Sequence, residues 1–359
     1  MACLSLILGS ASAARAAAVP TRVRIAYPEN GTLISAQVGL TLGRTDLLRK
    51  NGFAPELFAL STGRDMKLAL VSDKVDVILT SEANFVVVLA EGFPAYGIAS
   101  LGAGGDMGLA VRTGSGIKSA AQLRGKTVGT MFGTSLHRPA LEWTRGVPEV
   151  RIVSMPSIGA LLAALEAKKI DAALLWDPYL TDGISRGRVE VLRKEPLELI
   201  AIAAKPFADR DPGALERLQK TLREAVLYFV RHKDEVNRWA SDVTKLDMSL
   251  IDRVSRTNRN YDKARLDQID IRISPSFIDK MKMTGAFLYA TRSSPGIRTS
   301  AALSAIPDEP PSQDARCPGP FRPGSPGVGR PVRDRAHQRL HLARSRRGPP
   351  RVDPRPLLR

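Results

Sequence analysis

The chain has 359 residues, 43% of them hydrophobic, enough for two packed cores, and past its first few residues no run approaches the ~20 apolar residues that cross a bilayer, which excludes a membrane-embedded transporter. The formal net charge of +17 would suit a nucleic-acid binder, but residues 291–359 alone hold 14 Arg, no Lys and 5 acidic residues, a surplus of 14 − 5 = 9, so half of the charge sits in one segment and nucleic acid is not an expected partner. The only cysteines are Cys3 and Cys317, which leaves the body without a disulfide framework, a thiolate metal site or a thiol nucleophile.

At the N-terminus, Leu4-Ser5-Leu6-Ile7-Leu8-Gly9, an Ala/Ser-rich stretch and Ala16-Ala17-Ala18 read as the late part of a secretory signal over residues 1–18. The apolar run is short and lacks a basic n-region, which points to a start codon assigned downstream of the true one. Cys3 lacks the small-residue context of a lipid-modified cysteine, so a free, exported, periplasmic protein is expected.

Residues 22–27 alternate apolar and polar side chains and end at Pro28-Glu29-Asn30-Gly31-Thr32, predicting a strand and a turn. A helix is predicted over 33–50, stopped by Asn51-Gly52. A strand over 56–60 leads through Ser61-Thr62-Gly63 into a helix to Ser72. A third strand over 75–79 meets Thr80-Ser81 as the cap of a helix to Glu91, and a fourth over 95–101 is expected to end at Gly102-Ala103-Gly104-Gly105. A second series follows: a strand over 108–112, a short helix over 119–123, a strand over 127–129, the turn Phe132-Gly133-Thr134-Ser135 and a helix to Thr144. It continues with a strand over 150–155, the cap Pro156-Ser157, a helix over 158–167, and a strand over 171–175 that ends at Trp176-Asp177-Pro178. The chain returns through a strand over 199–204 and is then nearly all helical, with Pro212 early in a helix, an apolar stripe over 215–230 and a last helix over 274–290.

The two series are copies. Lys74-Val75-Asp76-Val77-Ile78-Leu79 matches Lys169-Ile170-Asp171-Ala172-Ala173-Leu174 at a shift of 171 − 76 = 95 residues, too long for a solenoid period of ~20 to 50. The duplication therefore predicts two similar α/β lobes of mostly parallel sheet with flanking helices. Lobe 1 is expected to hold residues 19–107 and 199–290, and lobe 2 residues 108–198. Crossings near Asp106 and Pro196 make a two-strand hinge. Residues 291–359, with Arg but no Lys beside abundant Pro and Gly, are expected to be disordered and carry the mark of a GC-rich gene read out of frame.

In open parallel sheets a ligand lies beyond the carboxyl ends of the strands. There the loops carry Asn30-Gly31-Thr32, Ser61-Thr62-Gly63, Thr80-Ser81, Gly133-Thr134-Ser135 and Ser157. Free N–H groups at helix starts favour an anion; each Ser or Thr alone could equally be an N-cap worth ~1 kcal/mol, but five such loops facing one gap point to binding.

Three segments carry a family resemblance: residues 118–129 (KSAAQLRGKTVG), Phe132-Gly133-Thr134-Ser135-Leu136-His137, and residues 170–179 (IDAALLWDPY). Over roughly residues 22–290 the chain resembles the type 2 periplasmic binding proteins, and more narrowly the substrate-binding proteins of ABC importers for sulfonates, taurine and nitrate, a group that includes the NMT1/THI5-like binders. The resemblance implies a small-molecule ligand, an ABC permease as partner, a monomer, and no cofactor, metal or catalysis. By position it implies that Thr134 and Ser135, on Gly133, hold an anionic head, that Phe132 and Trp176 form apolar walls, and that Asn30, Gly31, Thr32, Thr62, Gly63 and Ser81 contact the ligand from lobe 1. Glu82 and Asp177 would meet a cationic end; Asp177 could as well cap the next helix, and Trp176 pack at the hinge. Glu82-Ala83-Asn84 and bulky Met131-Phe132 depart from the family's usual turns. The alternatives are a binder of a thiamine pyrimidine precursor or an aromatic acid, or a thiamine-pyrimidine synthase-like enzyme, whose cysteine-rich segment this chain lacks. The glycines at 102–108 lead into a strand rather than a helix, unlike a dinucleotide loop, and His232, His337 and His341 form no metal-ligand pattern.

Overall fold

The computed structural model describes residues 19–29 and 32–292. The signal segment over 1–18, Asn30, Gly31 and residues 293–359 lie outside the described residues. The first repeat runs β1 (Thr21–Pro28), α1 (Leu33–Arg44), α2 (Leu47–Lys50), β2 (Phe53–Leu60), α3 (Gly63–Val71), β3 (Val77–Ser81), α4 (Glu82–Ala90) and β4 (Ala95–Arg112). The second runs β5 (Thr127–Thr130), α5 (His137–Trp143), β6 (Arg151–Ser154), α6 (Ile158–Glu166), β7 (Ala172–Trp176), α7 (Tyr179–Ser185) and β8 (Val189–Ala204). Helices α8 (Lys205–Arg210), α9 (Ala214–Arg231), α10 (Lys233–Thr244), α11 (Met248–Ser255) and α12 (Pro275–Arg292) complete the chain.

Eight strands form one sheet in the order β2-β1-β3-β8-β4-β7-β5-β6. Read inward from either end the plan is the same. The second, first and third strands of a repeat lie parallel, and a long antiparallel strand closes each half. Strands β3, β5 and β7 are buried at every residue, as expected of parallel strands covered on both faces.

The repeat is reproduced in fine detail. Helix α6 is α3, and β7 is β3, moved by 158 − 63 = 95 residues. Thr62 and Ser157 each accept the N–H three residues on as N-caps. Asp73 and Lys168 both adopt a left-handed turn, at φ 54° and 58°. Asp76 accepts the N–H of Arg24 on β1 at 2.8 Å, and Asp171 that of Thr127 on β5 at 2.9 Å. The same short polar contacts thus fix the same crossover twice.

Three sequence expectations are corrected. The glycines at 102–105 do not end the fourth strand; β4 continues for 18 residues through them. Gly102 and Gly105, at φ +82° and +91°, supply the backbone for shifts in register against β8, and a Cβ on Gly104 would lie 2.4 Å from Leu199 Cδ1. Its partner β8 begins ten residues before the expected 199, because its first part carries Glu190, Arg193, Lys194 and Glu195 rather than an apolar pattern. Asp106 and Pro196, the expected crossing points, are register partners. The helix expected over 33–50 breaks after Arg44: Thr45 is extended and turns its hydroxyl back to the Thr41 carbonyl at 2.7 Å.

The stripe on α9 buries Leu218, Leu222, Ala225, Val226 and Phe229. Helix α1 is buried over residues 33–42, and its one amide, Gln37, donates to Asn237 at 2.7 Å and to Ser255 at 3.0 Å, tying α1 to α10 and α11. Asp76 is 2% exposed and accepts from Arg24 and Arg210 side chains. Burial pushes its pKa up, but these donors outweigh that and hold it below the ordinary carboxylate value. Among the described residues, Asp76→Ala leaves the Arg24 side chain only its bonds to Asp73 and strands the Arg24 backbone N–H that donates to Asp76, and should lower unfolding free energy by about 2 to 4 kcal/mol in urea titrations.

Candidate functional site

Between the two sheet halves the carboxyl ends of β1, β2, β3 and β7 and the turn after β5 face one cleft, enclosing about 340 Å³ of non-protein space with the solvent at its mouth included. From the first repeat it is lined by Pro28 and Thr32, by Ser61, Thr62, Gly63 and Met66, and by Thr80, Ser81 and Asn84. The second repeat contributes Thr134, Ser135 and Trp176. Among the described residues, no lining side chain is ionisable. Polarity comes from hydroxyls, one carboxamide and the unpaired N–H groups that every helix start leaves.

The hydroxyls differ in what they can offer. Thr62 donates to Asp65 Oδ2 at 2.7 Å, and Thr134 to the Met131 carbonyl at 2.8 Å, so both protons are committed to local caps and turns. Asn84 donates to Thr80 Oγ1 at 2.7 Å and Ser81 Oγ at 3.4 Å, which leaves the Ser81 proton available. The Thr32 side chain caps nothing, and Ser135, 4% exposed, makes no side-chain hydrogen bond among the described residues. Thr32, Thr80, Ser81 and Ser135 are therefore the lining hydroxyls whose protons no hydrogen bond among the described residues commits. Trp176 is 6% exposed and its Nε1 has no partner among the described residues.

Of the residues singled out from sequence, Thr32, Thr62, Gly63, Ser81, Thr134, Ser135 and Trp176 line the cleft, and Phe132, Gly133, Glu82 and Asp177 do not. Phe132 tilts over the His137 ring at 4.6 Å between centroids. Gly133 sits in the turn at φ +76°. Glu82 is fully buried at the start of α4, with Lys280 Nζ 3.8 Å away and no hydrogen bond to its carboxylate among the described residues; desolvation pushes its pKa up. Asp177, 3% exposed, accepts from Asp106 N at 2.7 Å and from Thr181 N at 2.9 Å, clasping β4 and capping α7. Its pKa too is raised by burial.

Ser61 and Thr80, named in the sequence only as members of hydroxyl-bearing loops, also line the cleft, together with Pro28, Met66 and Asn84, for which the sequence implies no contact. Asn84 was legible in principle: four residues after Thr80 in a first helical turn, a side chain points back over the N-terminus. Met66 reads as core, and only the tertiary packing brings it to the cleft edge. Gly63 is required by this packing, since a Cβ there would lie 2.0 Å from Asn84 Nδ2.

The structure thus combines a doubled parallel sheet, two shared antiparallel strands and, between its halves, a polar gap with no ionisable side chain among the described lining residues. The comparisons agree. The NMT1/THI5 like family matches residues 49–236, and the chain belongs to that family. A putative aliphatic sulfonates-binding protein of Bacillus subtilis strain 168 is 23% identical over 254 residues, covering 66% of this chain and 76% of that protein. The periplasmic aliphatic sulphonate binding protein SsuA of Escherichia coli superposes with a TM-score of 0.62 at 19% identity, over 80% of this chain and 97% of its own. The alkanesulfonate-binding protein SsuA of Xanthomonas axonopodis pv. citri, bound to MOPS, gives 0.60 at 18% identity, over 81% and 96%. No helix among the described residues is long and apolar enough to cross a membrane.

Two outcomes follow from this packing. Gly63→Ala should displace Asn84 and lower the melting temperature, at a cost of about 1 to 3 kcal/mol. Desolvation depresses the pKa of His137 to about 4 from 6.5, so the folded state resists the proton that the unfolded chain takes up. Above 6.5 the group costs nothing; between 6.5 and about 4 stability falls with pH. Wild type should lose about 1 to 2 kcal/mol between pH 7 and 5 in urea titrations, and His137→Phe should lose less.

Proposed function

We propose that the chain is the solute-binding component of an ABC importer, exported to the periplasm, where it captures a small organic anion of the sulfonate class. The observation that carries this reading is the convergence of Thr32 and Ser81 from one repeat with Ser135 and Trp176 from the other on a single gap. Hydroxyl protons and helix-start N–H groups would meet the anionic head, while Met66, Pro28 and the Trp176 ring offer apolar surface to an organic tail. The names of the relatives support the choice of sulfonates.

The lobes, residues 19–107 with 199–290 and residues 108–198, would close about β4 and β8. The closed form would be what a membrane permease recognises. Ligand would shift the population only by its greater affinity for that form. A lining without acid, base or thiol suits capture without chemistry.

A thermal-shift screen of the protein against alkanesulfonates, taurine, nitrate, aromatic acids and pyrimidines tests the reading. A sulfonate at a hundredfold its Kd should stabilise by about 3 kcal/mol. Ser135→Trp should abolish that shift while the far-UV circular dichroism of the ligand-free protein stays that of folded wild type, at some cost in melting temperature from overpacking. A shift with pyrimidines alone would overturn the sulfonate assignment.

A further inference from the structure

Among the described residues the cleft lining supplies no positive side chain, but the cation Arg64 sits in the chain between two residues that line it. Arg64 is the second residue of α3, between Gly63 and Met66, which both line the cleft. Its side chain reaches out from the first half of the sheet toward the second: Arg64 Cδ lies 3.9 Å from where a Cβ on Gly133, in the turn between β5 and α5, would stand. Arg64 is exposed and has no hydrogen bond or ion pair among the described residues. Asp65, next in the chain, accepts from the Thr62 hydroxyl at 2.7 Å, and Glu29 from the Ser61 hydroxyl at 3.5 Å.

We propose that Arg64 is a specificity-determining residue of this cleft, its guanidinium swinging over the mouth to pair with the negative group of the bound solute while spanning the two halves. The inference rests on the solute-binding reading. A long side chain with no protein partner loses no existing contact by turning inward. The cleft's own donors are neutral, so a charge-assisted bond from Arg64 would favour an anion over an uncharged solute of the same shape. Gly133 bears no side chain to block that path.

Calorimetric titration of the full chain with 1-butanesulfonate, at about 20 and about 200 mM salt, tests it on wild type, Arg64→Gln, Arg64→Lys and Ser135→Trp. Arg64→Gln should weaken binding about tenfold or more and flatten its salt dependence, with Arg64→Lys between it and wild type. Ligand-free melting temperatures of the Arg64 variants should match wild type, since the residue is exposed. Equal affinity of Arg64→Gln and wild type, with binding lost in Ser135→Trp, would overturn the role of Arg64 and leave the solute-binding reading standing. No binding of 1-butanesulfonate by wild type would overturn both for this class of anion.

Discussion

The antiparallel pairing of β4 with β8 is the constraint on which the rest depends. Each parallel set of three strands stays within its own half of the sheet, so the ladder from Ala95↔Ala204 to Arg112↔Val189 is the sheet's sole continuity between halves. It holds two sets of strand ends toward one gap. A ladder that long would be stiff if regular, but its register shifts four times, three of them between Gly97 and Asp106. Glycine makes this possible by adopting left-handed backbone at Gly102 and Gly105 and by admitting Leu199 beside Gly104. Asp177 fastens the end of β7 to the same stretch through the Asp106 amide.

Charge is kept off the cleft walls and gathered behind them. Arg138 on α5 pairs with Glu142 and with Glu195 of β8, and Lys280 on α12 donates to the Pro196 carbonyl at 2.7 Å while facing Glu82. These groups join α4, α5 and α12 to the shared strand near its midpoint. A buried carboxylate such as Glu82, without a hydrogen bond, is costly, and the cations beside it offset part of that cost. Among the described residues the cleft is left with neutral donors.

Much of the fold was legible in the sequence because it is written twice. The 95-residue shift relates strands, caps and left-handed turns alike, from Thr62 and Ser157 to Asp73 and Lys168. Period, cap and turn signals are local, and local signals survive without tertiary information. The long shared strands were the weak point. Glycines that read as a strand end were bulges inside one, and the charged half of β8 had no apolar alternation to announce it. The loops of the candidate site were legible as a set, since helix starts after parallel strands are where such residues collect.

Which of those residues face the gap was decided by packing. Glu82 and Asp177 occupy equivalent places at the ends of β3 and β7, and sequence alone allows either to meet a ligand; one is enclosed beside α12 and the other is spent on Asp106 and Thr181. Thr62 and Ser135 look alike as hydroxyls before helices, but a neighbouring carboxylate takes the proton of the first and, among the described residues, none takes that of the second. The order of residues determined the repeat, the elements and the candidate loops, because each depends on neighbours a few positions away. The direction and availability of each polar atom depend on contacts across a hundred residues or more, and only the folded chain makes them.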